Sequence, residues 1–302
     1  MKKSMDLLVK IGLVCCFVGL VLCVAGWIGG ADIGAVINSD TLDPDYDPHY
    51  VDEDGFWDWS DFDFDESSTI ETSAAEKVMG LEHFNNIKAQ LEVTELFIED
   101  GEEYGLSIME GAGRSFTYEV ENDTLILKEN RKDKHLNNTS SRVVITIPKD
   151  THLHQVEIGQ GVGNVVIYDL SAHELNINSG VGNTDLKRID VDELSIDGGV
   201  GNIEGDDLSV STELDLNSGV GTVSLKGDFC GEIDLDSGMG NVELVFERPQ
   251  SNYLIDIENG LGTVKINGEK YKSGEYYQGD AVAEHKIDIE NGTGNMELTF
   301  EE

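Results

Sequence analysis

From Val156 onward, apolar and polar residues alternate in short runs that restart at nearly constant intervals. The runs align on glycine pairs: Gly-Val-Gly-Asn at 161, 180 and 199, Gly-Val-Gly-Thr at 219, Gly-Met-Gly-Asn at 238, Gly-Leu-Gly-Thr at 260 and Gly-Thr-Gly-Asn at 292. Five residues before each pair stand Val156, Leu175, Leu194, Leu214, Ile233, Ile255 and Ile287, and three before it Ile158, Ile177, Ile196, Leu216, Leu235, Ile257 and Ile289. This period of two predicts a half-buried strand leading into every pair. A second alternation starts after it, at Val165 and Ile167 in the first copy and at Val264 and Ile266 in the sixth. The apolar parity changes across Gly-x-Gly-Asn, so the two strands are not one straight run and the chain bends there, where a side chain would obstruct a tight corner. The residue between the glycines, Val162 in the first copy and Leu261 in the sixth, is counted with the apolar set, giving each copy five such positions.

The spacings are 19, 19, 20, 19, 22 and 32 residues, a fixed period with one slip and one long insertion. Such a period is the signature of stacked repeats. We therefore expect an all-β chain: a parallel β-solenoid of seven rungs of about 19 residues, capped by an irregular β region and standing behind one N-terminal transmembrane helix. One rung cannot bury its apolar face alone, so the array is expected to unfold as a unit. Asn or Thr follows each pair, from Asn164 to Asn295; stacked rung on rung, these side chains can hydrogen-bond along a ladder. A dinucleotide site would need a helix after the glycines, whereas strand-forming residues follow here. Calcium-binding nonapeptide repeats have a period of nine. The insertion from about Gly268 to Glu284, with Tyr271, Tyr276 and Tyr277, is expected to close the end of the stack against edge pairing.

Upstream, residues 1–10 carry Lys2, Lys3 and Lys10, and residues 11–31 are uncharged. As a helix that run spans about 30 Å, the thickness of a bilayer core. Positive charge before it and acid after it place the N-terminus in the cytoplasm and the remainder outside, as a single-pass protein of the cell membrane. A cleaved signal peptide ending near Gly29-Gly30-Ala31 is the alternative. Residues 32–80 form an acidic linker. It contains a run, Phe56 to Asp65, in which aromatics alternate with acids, read as a first edge strand or local collapse, or else as a docking strand. Residues 81–150 read as a β cap without the glycine period, and residues 151–302 as the repeats. Within the cap, Lys128 to Arg142 is a basic island, a surface loop or a contact for an anionic partner.

The short strands ending at Ile147-Pro148, followed by rungs of the form (Ile/Leu)-x-(Ile/Leu)-x-x-Gly-x-Gly-(Asn/Thr)-(Val/Ile) behind a hydrophobic anchor, resemble the bacterial putative-adhesin β-strand-repeat proteins. That resemblance implies a β-solenoid ectodomain of the cell envelope, a tie to envelope-stress systems and no transferable functional residues.

With 20 basic and 60 acidic residues the formal charge is −40, which excludes nucleic acid as a partner. Three of the four cysteines lie within 11–31, leaving Cys230 alone, so there is neither a disulfide framework nor a cysteine metal cluster. Cys230 is read as a small filler, with an intermolecular disulfide as the alternative. No nucleophile with a partnered histidine and no phosphate loop appears, so the chain reads as a non-enzymatic adhesin-like binding or structural module, with an envelope polymer or protein as partner. A solenoid polysaccharide-active enzyme is the alternative. No cofactor is expected. Outward carboxylates in successive rungs, Asp215, Asp234, Asp236, Asp256, Glu258 and Asp288, form a candidate face for weak Ca²⁺ binding.

Overall fold

The computed structural model describes residues 77–302 apart from 110, 112–113, 132–140, 272–273, 279–282 and 302. The expected anchor at 11–31 and the aromatic run at 56–65 lie outside the described residues, as does the middle of the basic island. Among the described residues no helix is long and apolar enough to cross a membrane.

One sheet of nineteen strands holds the described residues. Its first part is β1 (Lys77–Gly80), β2 (Asn86–Gly101), β3 (Gly105–Met109), β4 (Arg114–Glu121), β5 (Thr124–Arg131) and β6 (Ser141–Pro148). The rungs follow as β7 (His152–Val162), β8 (Val165–Val181), β9 (Thr184–Val200), β10 (Ile203–Val220), β11 (Val223–Phe229), β12 (Glu232–Met239) and β13 (Val242–Phe246). The chain ends with β14 (Tyr253–Leu261), β15 (Val264–Ile266), β16 (Glu269–Tyr271), β17 (Gly274–Gln278), β18 (His285–Thr293) and β19 (Met296–Phe300). A strand follows every Gly-x-Gly, as the alternation predicts, and no helix does.

Each coil winds once and pairs in parallel with the next. Because 19 is odd, strict in–out alternation cannot close on itself, and the parity must break an odd number of times per coil. In the coil from Val165 it breaks three times. The buried residues run Val165, Ile167, Leu170, Ala172, Leu175, Ile177 and Ser179, with slips at Asp169, at His173 and at the glycine pair. The slip at Asp169 is a left-handed residue, φ 56°, repeated at Asp150 (60°), Arg188 (55°) and Asp207 (59°). Three of these four are aspartates, whose short polar side chains tolerate that region. Farther along, the second arm runs straight, and Phe229, Phe246, Tyr253 and Phe300 pack in its place, with the Tyr253 hydroxyl donating to the Phe229 carbonyl at 2.8 Å.

Two expectations are corrected. First, the residue between the glycines is not core: it points outward at the corner, Val181 being 49% exposed and Leu261 70%. Second, residues 81–150 are not merely an irregular cap, since β2 is a full rung. It is parallel to β7 and β8 on one side and to β5 and β6 on the other. The strands outside it, β3 and β4, are antiparallel to β6 and β5, and β1 is antiparallel to β3. In addition, spatial order departs from chain order at both ends. The rung β18–β19 lies between β12–β13 and β14–β15, and β2 lies between β5–β6 and β7. The insertion after Ile266 forms β16 and β17, which pair antiparallel outside β15 and β14.

Candidate functional site: the repeated corner and its carboxylate columns

The corner is built by backbone proximity. A methyl group on the first glycine of a pair would meet a carbonyl oxygen of the adjoining rung, at 2.6 Å for Gly180 and 2.2 Å for Gly199. On the second glycine it would overlap one, at 1.8 Å for Gly182 and 1.7 Å for Gly201 and Gly221, where φ is also +149° to +157°. The Asn ladder forms, but mostly between side chain and backbone. The Oδ1 of Asn164 accepts from the N–H of Asn183, that of Asn183 from Asn202, and that of Asn202 from Thr222. It resumes from Asn241 to Asn295 and from Asn295 to Thr263. Threonine at 222 has no amide oxygen to pass on, which divides the ladder in two.

Beside the corner run the predicted carboxylates, and parallel register brings all six into two adjacent columns. Asp215 faces Asp234, Asp234 faces Asp288, and Asp288 faces Asp256. In the next column Asp236 and Glu258 flank Glu290. The inserted last rung thus separates Asp234 from Asp256 and supplies Glu290. Burial, then Asp234 and Asp197, hold the Asp215 carboxyl above the usual range; burial, then Asp236 and Asp288, do so for Asp234. Asp236, followed by burial and Glu258, raises Glu290. Lys286 answers part of this charge, at 3.1 Å from Asp288 and 3.3 Å from Glu232. The columns are milder near the other end, where Lys88 pairs with Glu157 and Gln155 donates to Glu174. Among the described residues no three His, Cys, Asp or Glu side chains converge as a ready metal site.

Two clusters escaped the sequence reading. At the bend opposite the glycines, His154 stacks on His173 with ring centroids 5.5 Å apart. His173 Nδ1 lies 2.6 Å from Asp192, whose other oxygen accepts from Ser211 at 2.6 Å. The signal was available, since residues 154, 173, 192 and 211 are each 19 apart. The carboxylate sits between imidazole and hydroxyl, whereas a nucleophilic relay needs the imidazole in the middle. The second cluster is a buried lock. Glu129 accepts from the backbone N–H of Glu92 and Val93 and from the Thr94 hydroxyl, and pairs with Arg114 at 2.7 Å.

Cys230 is half-buried and free, its thiol pushed up first by burial and then by Asp228. In the basic island, Arg142 pairs with Glu95 and lies over the Phe97 ring. A groove of about 420 Å³ between the last corners is bounded by Asn241, Glu243, Thr263, Lys265, Lys270 and Glu297, with Lys265 already tied to Glu297 at 2.7 Å.

Among solved structures, the chain is similar to a putative cell adhesion protein from Clostridium sporogenes, at 18% identity over 75% of this chain and 99% of that one, with a TM-score of 0.34. It is also similar to a putative adhesin from Bacteroides fragilis, at 17% identity over 74% and 96%, TM-score 0.35. A third is a putative lipid binding protein from Parabacteroides distasonis, at 16% identity over 74% and 96%, TM-score 0.33. No curated protein matches the sequence. The profile of the Toastrack DUF4097 family matches residues 84–273, from two residues before β2 to the residue before β17, and the protein, matched over more than half its length, belongs to that family.

Proposed function

We propose that this protein is a non-enzymatic, adhesin-like binding module of the bacterial cell envelope, anchored by residues 11–31 with its rungs outside the membrane. The observation that carries the reading is the register of the outward columns. The parallel ladder repeats the same side-chain types at every strand spacing, from Asp215 through Asp234 and Asp288 to Asp256. A rigid surface of this kind suits an extended envelope polymer or protein, because solenoids present long continuous binding faces. A part in the envelope-stress response belongs to the same proposal. Full-length protein, incubated with purified cell-wall material and with envelope proteins from the same cells, should be retained by one fraction and released by its soluble fragments. Passage through both without retention would sink the binding role. Protease treatment of intact cells should release a fragment of about residues 80–302, and full protection would sink the topology.

A further inference from the structure

The fold leaves a mostly apolar column at the corners, exposed at Val162, Val181, Val200 and Leu261 and half-buried at Val220 and Met239. Val162, Val181 and Val200 are 46%, 49% and 46% exposed, and Leu261 is 70% exposed. Parallel register sets them in one line: Val162 against Val181, then Val200, Val220 and Met239, with Thr293 between Met239 and Leu261. The corner asks for glycine on both sides of this position, but it asks for nothing apolar at the position itself. Single exposed apolar residues need no explanation; a contiguous line of them marks a contact surface.

The charge beside the line selects the occupant. Asp197, Asn217, Asp236, Glu290 and Glu258 run along one flank, two residues before the paired glycines, and beyond the Asn ladder Asp185, Glu204, Glu243 and Glu297 line the other, where the one cation of that column among the described residues, Lys265, is already paired with Glu297. An anionic lipid surface or a second copy of this chain would set like charges together. An apolar face bordered by Lys and Arg would meet both features. Spacing favours a helix over a strand. Rungs recur about every 4.8 Å, the apolar positions of an amphipathic helix about every 5.2 Å along its axis, and same-face residues of an extended strand about every 6.8 Å. From Val162 to Leu261 the line is about 29 Å long, about 19 helical residues.

We propose that the exposed corner line docks a cationic amphipathic helix of a partner protein, its apolar residues on the valines and its Lys and Arg on the flanking carboxylates. This rests on the binding-module reading above. The test uses full-length protein in phosphatidylcholine nanodiscs and a labelled 19-residue Leu/Lys peptide with leucines at helical spacing, read by fluorescence anisotropy. A peptide of the same composition with dispersed leucines, and empty nanodiscs, are the references. We expect saturable binding of the amphipathic peptide, weakened about tenfold by Val181→Ser, Val200→Ser and Val220→Ser together, with circular dichroism and melting unchanged. Asp236→Asn, Glu258→Gln and Glu290→Gln together should weaken it at low salt and flatten its salt dependence. Equal binding of the two peptides, equal binding to empty nanodiscs, or no effect of the serine variant at unchanged folding would overturn the docking line. Retention on wall material without peptide binding removes this inference and leaves the binding module standing, whereas loss of both removes both.

Discussion

At the scale of single residues the corner is governed by space. A methyl group at Gly182 would stand 1.8 Å from the Gly163 carbonyl oxygen, on a backbone whose φ of +149° already disfavours a side chain. Gly182→Ala must push two rungs apart, and we expect a cost above about 3 kcal/mol by urea denaturation. Val181→Ser, one residue away, changes an outward side chain and should stay within about 0.5 kcal/mol. A similar loss from both would show that proximity at the glycines does not hold the corner. The glycine columns were legible in the sequence because backbone overlap admits no substitute. The outward direction of Val181 was not, since it continues the parity of Leu175 and Ile177 in the strand before it and so reads as core, although the chain turns at the glycine before it. The slips at Asp169 and His173 were hidden for a related reason. Asp, Arg and His fill them, residues that look like ordinary surface in an acidic chain.

Elements are ordered by a different logic, that of reach. The link from Phe246 to Tyr253 holds Pro249 and a short 3-10 turn at Gln250–Asn252, and the spacing there is 22 rather than 19. The extra residues carry the chain over one strand position, about 4.8 Å, leaving a slot that β18 and β19 return to fill after β16 and β17. The slip in period was visible in the sequence, but a slip alone does not distinguish a bulge from a skipped position. At the other end β2 was missed as a rung because Glu92-Val93-Thr94 stands where the other rungs have Gly-x-Gly. The Glu129 carboxylate, rather than a tight neighbouring corner, meets the N–H groups of Glu92 and Val93, so side chains fit there. The β16–β17 strands lie outside the β14–β15 rung and shield its edge. Deleting residues 270–283 should expose that edge and cause concentration-dependent association in sedimentation velocity. A deletion variant as monomeric as the parent would show that these strands are not the closure.

At the scale of the whole stack, like charges in the carboxylate columns repel, and protons bound there relieve that repulsion. Asp215, Asp234 and Glu290 bind protons more tightly folded than unfolded, so they add stability as the pH falls through their raised values. His173, raised by its hydrogen bond to Asp192, acts in the same sense: its contribution is full below the ordinary imidazole value and is lost as the pH rises through the raised one. Asp169, Asp192 and Asp228 are lowered by Arg188, by Ser211 then His173, and by Arg248, and they lose their contribution only as the pH falls through their depressed values. The melting midpoint should therefore climb from about pH 8 to about pH 5 and fall in stronger acid, and a midpoint that falls steadily below neutrality would exclude column repulsion as the controlling charge effect. Divalent cations should act on the same columns. Carboxylates paired at every strand position from Asp215 to Asp256 and from Asp236 to Glu258 offer shared oxygen ligands suited to Ca²⁺ at about 10⁻⁴ to 10⁻³ M. Binding to the folded state alone raises its stability. Melts in millimolar Ca²⁺ and in Na⁺ of matched ionic strength separate binding from screening. We expect a higher midpoint in Ca²⁺, abolished when Asp234, Asp236 and Asp256 become Asn and Glu258 becomes Gln, because those changes break both columns on either side of the inserted rung. Equal midpoints in the two salts would leave the columns as a solvated face whose only response is to ionic strength.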